Sequence, residues 1–96
     1  MLQLLIEAIR NRQQLEFTYS NIVRVAHPTA VGISSAGNEV LRCYQIEGGH
    51  VTPGHAWDLC RIELISNLRL TGHRFDTDPP GYKAGDGGMI RIFAQL

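Results

Sequence analysis

Four side chains of this 96-residue sequence could bind an anion together: Arg24, Arg42, Tyr44 and Arg61. A guanidinium group offers a planar fork of N–H donors that matches the oxygens of a phosphate or carboxylate, and a tyrosine hydroxyl adds another donor. Suppose that the segments around Arg42 and Arg61 form a hairpin. In the register that places Cys43 opposite Cys60, the two arginines also face each other. Like charges opposed on a sheet repel, and a bridging anion would relieve the repulsion. The spacing therefore predicts an anion site. The strand register is assumed, and the two strands could also pair with a shift of two residues.

His27 is a further candidate ligand for the same anion. It belongs with Arg24 to the neighbouring strand, and its imidazole can carry a positive charge near neutral pH. Two plainer interpretations stay open. A histidine directly before a proline, as His27 is before Pro28, is often a turn residue with a local hydrogen bond. Exposed arginines beside a carboxylate such as Glu63 are often only a solvated surface.

Metal binding and catalysis have weaker signals. Imidazole and carboxylate groups that could hold zinc occur in and after a Gly-Pro loop: His50, His55, His73 and Asp76. Their spacing matches no recognised zinc motif, so we expect no metal and no cofactor. The serines of the turn at residues 34–38 lack the strand-to-helix elbow of a catalytic nucleophile, so we expect no enzyme activity.

Cys43, Cys60 and Trp57 are interpreted as core residues. Two cysteines are too few for a disulfide scaffold and lack the close spacing of a zinc or thioredoxin-like site, so we expect both to be reduced. The assumed register would also permit a bridge, and a redox switch is the alternative. For Trp57, the alternative is a stacking surface for a base.

Hydrophobic periodicity divides the chain into one helix and several strands. Apolar residues at helical spacing predict a helix over residues 2–12, and alternation predicts a strand over residues 15–19. Runs rich in β-branched residues predict strands over 22–33, 39–46 and 56–70. Pro28 should bend the first of these, because proline cannot donate a ladder hydrogen bond, and Ser66-Asn67 should divide the last.

One helix and about five short strands predict a mainly β fold, a small antiparallel β-barrel with a C-terminal strand-like extension. An open α+β sheet with the helix across one face is the alternative. Residues 76–88 combine Asp, Pro and Gly and oppose regular structure. We therefore divide the chain into a helix and barrel over residues 1–75, and a loose connector with an apolar extension over residues 76–96.

Composition narrows the possible partners. Nine basic and nine acidic residues leave a formal net charge of +0, so no overall charge attracts the chain to nucleic acid or to an anionic membrane. Glu7 interrupts the apolar start of the sequence after six residues, which is too short for a signal peptide or a membrane span. We therefore expect a cytoplasmic protein without a membrane partner.

Five segments, in this order, resemble a known family: Leu5-x-x-Ala8-Ile9, Leu15-Glu16-Phe17-Thr18-Tyr19, Arg24-Val25-x-x-Pro28, Gly37-Asn38-Glu39-Val40-Leu41-Arg42-Cys43-Tyr44 and Arg61-Ile62-Glu63-Leu64-Ile65-Ser66. They are similar to the WYL domain, a bacterial module named for a Trp-Tyr-Leu run on one of its strands. In this sequence, Glu39 and Val40 stand in place of the Trp and Tyr of that run. The resemblance spans roughly residues 2–70. It implies an Sm-like five-stranded barrel that senses a ligand or nucleic acid in transcriptional or phage-defence regulation.

Together these observations predict a non-enzymatic regulatory module. Its ligand would be negatively charged, a nucleotide or a short single-stranded nucleic acid, bound by Arg24, Arg42, Tyr44, Arg61 and His27. The alternative is a protein-interaction module in which the arginines only solubilise the chain.

The C-terminal run is too apolar to stay exposed on so short a chain. It could pair with a strand edge of its own chain or of a second copy. We favour the second copy, because a closed small barrel has little spare interior and a flexible connector allows exchange, so we expect a homodimer.

Overall fold

The structure is a computed structural model that describes residues 1–49 and 56–96. One helix and six strands follow in chain order: α1 (Leu2–Arg10), β1 (Gln13–Tyr19), β2 (Ile22–Ser34), β3 (Glu39–Gly48), β4 (Trp57–Arg61), β5 (Ser66–Arg74) and β6 (Met89–Gln95). A short 3-10 helix, Ile62–Leu64, joins β4 to β5. The prediction of a mainly β chain with one N-terminal helix is therefore confirmed. Within the described ranges, no helix is long and apolar enough to cross a membrane.

All strand pairs are antiparallel, in the order β4-β3-β2-β1-β5, and β6 pairs with β2. The long strand β2 organises this arrangement. One of its edges runs along β3, while the other pairs first with β1 through Ala26 and then with β6 from Ala30. The register with β3 shifts between Pro28 and Ala30, where the missing N–H of the proline interrupts the ladder. This confirms the predicted irregularity at Pro28.

The sheet curls because β4 and β5 stand at opposite ends of the strand order but are joined by only four residues, Ile62 to Ile65. An extended chain covers at most about 3.5 Å per residue, so the two ends of the sheet must approach. Side-chain hydrogen bonds from β1 and β2 to β4 accompany this curl. The backbone N–H of Arg61 donates to the Tyr19 hydroxyl at 3.1 Å, and Arg24 donates to the Asp58 carboxylate at 3.1 Å.

The predicted closure into a barrel is nevertheless not confirmed, because the sheet is open. Its six strands correspond to the five predicted strands and the C-terminal strand-like extension. No backbone ladder joins β4 to β5 among residues 1–49 and 56–96. β4 ends at Arg61 because the next three residues, Ile62–Leu64, form a 3-10 helix and do not continue the strand. The sequence placed the break at Ser66-Asn67. Asn67 does have a left-handed backbone, with φ of 53°, but β5 absorbs it as an irregularity opposite β1.

The helix ends at Arg10, two residues before the predicted boundary at Arg12, because Arg12 has a φ of 51° and cannot continue it. Its apolar side packs on one face of the sheet, the inner face, through Leu5, Ala8 and Ile9. The inner face contributes further buried core residues: Leu15, Phe17, Ala26, Val31, Leu41, Cys43 and Cys60. Each large apolar side chain buried here stabilises the fold by roughly 1.5–3 kcal/mol.

The apolar C-terminal strand docks on its own chain. It pairs with β2 from Ala30 to Ser34, and the Leu96 N–H donates to the Thr29 carbonyl at 3.0 Å. Phe93, Ala94 and Leu96 pack against the main core. Of the two partners left open by the sequence, the structure therefore contains the pairing within one chain, while the homodimer stays a prediction.

Residues 75–88, which we call the strap, lead from β5 to β6 across the opposite face of the sheet, the outer face. Phe75 stacks on His27 with the ring centroids 4.3 Å apart. Further along, the Trp57 indole N–H donates to the Pro80 carbonyl at 2.9 Å, and Asp86 binds Arg42. The connector that the sequence indicated as loose is therefore tied to the sheet at several points.

Candidate functional site

The register of β3 and β4 differs by two residues from the one that would oppose the two arginines. Arg42 pairs with Leu59, Cys43 with Asp58, and Arg61 with Val40. The predicted opposition of Arg42 and Arg61 is therefore wrong. A slip of two keeps both side chains on the outer face, because side chains alternate with a period of two, but makes them diagonal neighbours. Arg61 instead forms an exposed ion pair with Glu63.

Arg24 lies on the inner face and not with the other predicted ligands. It pairs with the core residue Phe17 and is only 7% exposed. Its guanidinium donates to Asp58 at 3.1 Å and to the Tyr19 carbonyl at 3.3 Å, and lies 5.3 Å from the Tyr19 ring centroid. This arginine ties β2 to β4 and to the end of β1 on the inner face, so an anion on the outer face does not reach it.

His27 and Tyr44 are cross-strand partners on the outer face. The Phe75 ring covers His27, whose Nε2 lies 3.2 Å from the Gln14 side-chain oxygen. Burial lowers the pKa of His27 below its ordinary value of 6.5, so the imidazole is neutral at pH 7. Tyr44 meets Trp57 edge to face at 5.2 Å. His27 therefore supports the strap through its contact with Phe75, and its role as a ligand of the anion stays a prediction.

Arg42 and Asp86 form the central ion pair of the outer face. Arg42 Nε lies 2.7 Å from one carboxylate oxygen of Asp86, and Nη2 lies 3.1 Å from the other. The hydrogen bonds to Asp86 raise the pKa of Arg42, and the same bonds lower the pKa of Asp86. The Gly88 N–H also donates to Asp86 at 2.8 Å. The strap thus presents a carboxylate already aimed at Arg42.

A cleft of about 310 Å³ opens beside this pair, between the outer face of the sheet and the strap. The sheet contributes Thr29, Arg42 and Trp57, and the strap contributes residues 81–87. Two cationic groups, Arg42 and Lys83, line the cleft against one carboxylate, Asp86. Two aromatic side chains, Trp57 and Tyr82, complete its wall. Such a cleft can hold a small molecule that combines a planar group with a negative charge.

Of the five predicted ligands, only Arg42 lines this cleft. Tyr44 lies behind Trp57 and supports it, while Arg61, His27 and Arg24 are engaged elsewhere. The sequence missed Tyr82, Lys83 and Asp86, because it indicated only turn chemistry in the strap. Trp57 is half-buried and lines the cleft, so it is not a fully buried core residue, and its alternative interpretation as a stacking surface stays a prediction.

The two cysteines lie on the inner face, behind the cleft. Both are free and buried, and their thiols are hydrogen-bonded to each other although Cys60 pairs with Leu41 along the ladder. This hydrogen bond and complete burial raise the pKa of Cys43. The interpretation of both residues as part of the core is confirmed.

Two of the four candidate metal ligands, His50 and His55, lie outside the described residues. In the remaining chain, residues 1–49 and 56–96, no group of three or more His, Cys, Asp or Glu side chains could hold a metal ion. His73 and Asp76 therefore belong to no such cluster within these ranges.

The chain has no significant match among family models, curated proteins or solved structures. The similarity to the WYL domain therefore rests on the sequence segments given above.

Proposed function

We propose that this chain is a non-enzymatic, cytoplasmic ligand-sensing module that binds a nucleotide in the cleft between the outer face and the strap. The observation that carries the proposal is the meeting of Arg42, Lys83 and Trp57 around one cleft of suitable size. The motif resemblance to the WYL domain supports a role in bacterial transcriptional or phage-defence regulation.

The phosphate would be bound by the two cationic groups of the cleft. The Arg42 guanidinium is fixed by β3 and offers a fork that matches two phosphate oxygens. Lys83 is exposed and has no carboxylate within ion-pair distance in the described part of the chain. Its ammonium can follow the phosphate as a mobile point charge.

The base would stack on the aromatic wall. Trp57 is held in place by its hydrogen bond to Pro80 and by the edge of the Tyr44 ring, and stacking on such a ring contributes about 1–3 kcal/mol per base. The volume of about 310 Å³ is at the lower end of the range of roughly 300–1,000 Å³ for small-molecule sites. A mononucleotide therefore suits the cleft better than an oligonucleotide does.

The sequence provides a direct reporter, because Trp57 is its only tryptophan. Titration with mono-, di- and triphosphate nucleosides should change the Trp57 fluorescence and saturate. Inorganic phosphate should compete only weakly, because it lacks the base. A single-stranded oligonucleotide that binds much more tightly than any mononucleotide would shift the proposal to nucleic acid. The absence of a response to all these compounds would contradict the proposal.

Variants separate binding from folding. Arg42→Gln alone leaves Asp86 without its counter-charge, so the double variant Arg42→Gln/Asp86→Asn is the cleaner test. We expect it to fold and to lose nucleotide binding. Lys83→Gln should weaken binding several-fold, whereas Arg10→Gln, an exposed arginine on α1, is the charge-matched control and should bind like the parent.

The protein-interaction alternative retains one favourable observation. Ile90 on β6 is 72% exposed, and in the described chain β6 pairs only with β2. A second copy that pairs along the free edge of β6 would cover Ile90 and form the expected homodimer. Light scattering should then give twice the chain mass, and Ile90→Glu should reduce it to the mass of one chain. A parent protein of single-chain mass would remove this alternative.

A further inference from the structure

We propose that Asp86 occupies the anion position of the cleft in the free protein, so that a nucleotide must displace this carboxylate from Arg42 to bind. The strap would then act as a built-in competitor that sets the ligand concentration to which the module responds. This inference rests on the proposed nucleotide site and adds its regulation.

The geometry of the Arg42–Asp86 pair is that of a bound ligand. Both carboxylate oxygens meet the guanidinium fork, at 2.7 and 3.1 Å, which is the bidentate arrangement that also recognises phosphate. Asp86 belongs to the strap, 44 residues away in sequence, and lines the cleft together with Arg42. The carboxylate therefore fills the position that the phosphate of a nucleotide would take.

The local backbone allows this close approach. A Cβ atom on Gly88 would lie 2.9 Å from Arg42 Nη2 and 3.2 Å from an Asp86 carboxylate oxygen. Glycine at position 88 thus leaves room for the pair. At Gly87, by contrast, an added Cβ atom would meet nothing within 4 Å.

Release of Asp86 need not disturb the core. Pro79 and Met89 are buried at the two ends of the segment, while none of residues 80–88 between them is buried. This segment contains four glycines, two of which, Gly81 and Gly85, adopt positive φ angles. The Gly85 N–H donates to the Gln95 side-chain oxygen at 2.9 Å, and the Tyr82 hydroxyl donates to the Leu96 carbonyl at 3.1 Å. Neither bond involves the Asp86 carboxylate, so this side chain can turn away from Arg42 while these bonds and both anchors stay in place.

Two variants weaken the pair by different means. Asp86→Asn removes the competing charge, and Gly88→Ala pushes the pair apart while both charges remain. We expect each to tighten nucleotide binding, measured by Trp57 fluorescence, with about tenfold for Asp86→Asn, since loss of one charge-assisted interaction is worth roughly that factor. Ser35→Ala, at an exposed turn position outside the cleft lining, is the control and should bind like the parent.

The outcomes separate this inference from the proposed site. If the parent binds nucleotide and neither variant binds more tightly, Asp86 is only a structural latch and the inference is wrong, while the site stands. If neither the parent nor any variant binds, both the site and its regulation are wrong. If Asp86→Asn does not fold, Gly88→Ala against the parent decides alone, and equal affinities of these two proteins would overturn the inference.

Discussion

The two faces of the sheet carry the same kind of ion pair in two different settings. On the inner face, Arg24 and Asp58 have 9% and 24% exposed side chains and join β2 to β4. On the outer face, Arg42 binds Asp86 of the strap at the edge of a cleft, with 28% and 11% exposed. The comparison teaches that the location of an arginine, and not its charge, decides what it contacts: the inner-face arginine is enclosed by the core, whereas the outer-face arginine lies in a cleft.

Breaking the inner pair should have the largest effect. Arg24→Gln leaves the Asp58 carboxylate without a partner beside the core, and the loss of one partner of a buried pair costs about 3 kcal/mol of the free energy of unfolding. Urea denaturation measures this loss. Arg69→Gln, which breaks the exposed pair with Glu16, is the control and should cost less than about 1 kcal/mol. Equal losses in the two variants would show that Arg24 does not hold the sheet.

The outer pair should contribute less, and its contribution should depend on pH. Asp86→Asn should lower the free energy of unfolding by about 1–2 kcal/mol at pH 7, because it removes a hydrogen-bonded charge from a largely buried pair. The bond from Arg42 lowers the pKa of Asp86, so this stabilisation is complete above the ordinary pKa of 3.8. It disappears as pH falls through the lower pKa of the folded state.

The difference in stability between parent and Asp86→Asn should therefore shrink as the pH falls from 7 to below 3.8. Thermal unfolding of both proteins at a series of pH values measures this difference in stability. A difference that stays constant over this range would mean that Asp86 does not stabilise the fold through its charge.

The thiols sharpen the description of the inner face. Cys43 and Cys60 are only 0% and 1% exposed, so neither should react with a thiol reagent at an appreciable rate in the native protein, although the hydrogen bond with Cys43 lowers the pKa of Cys60. Two thiols should react promptly in denaturant. Rapid modification of one cysteine under native conditions would revive the redox interpretation and indicate that the inner face opens near β4.

Replacement of His27, on the outer face, should have the smallest effect on the free energy of unfolding. Burial lowers the pKa of His27, so the unfolded chain takes up a proton first, and stability falls as pH drops below the ordinary value of 6.5. His27→Gln should remove a few tenths of a kcal/mol of this pH dependence between about pH 7 and 5.5. His73→Gln, at an exposed position, should leave it unchanged, and equal slopes in the two variants would contradict the assignment.

Much of the fold could be predicted from the sequence, because its signals are local. Alternation at Leu15, Phe17 and Tyr19 indicated which side of β1 faces the core, and Pro28 marked the irregular point of β2. The turn signal at Ser66-Asn67 was also real, as the φ of Asn67 shows. It produced an irregularity within β5 and not a break, because pairing with β1 continues on both sides of it.

The candidate site could be predicted only in part, since it depends on contacts between distant segments. The pattern of alternation identified the outer-face position of Arg42 but could not distinguish between registers that differ by two residues. Nothing near Asp86 in sequence indicates that it binds Arg42, because this contact arises only when β6 pairs with the far half of β2 and draws the strap across the sheet.

The location of the nucleotide site is the central claim, and NMR chemical-shift mapping tests it most directly. Amide resonances of the isotope-labelled full chain would be followed while a mononucleotide is added. We predict that the largest shifts fall on strap residues 81–88, on Arg42 and on the Trp57 indole N–H, while the inner-face residues Arg24 and Asp58 change little. Absence of any saturable shift, or shifts centred on the inner face, would contradict the account.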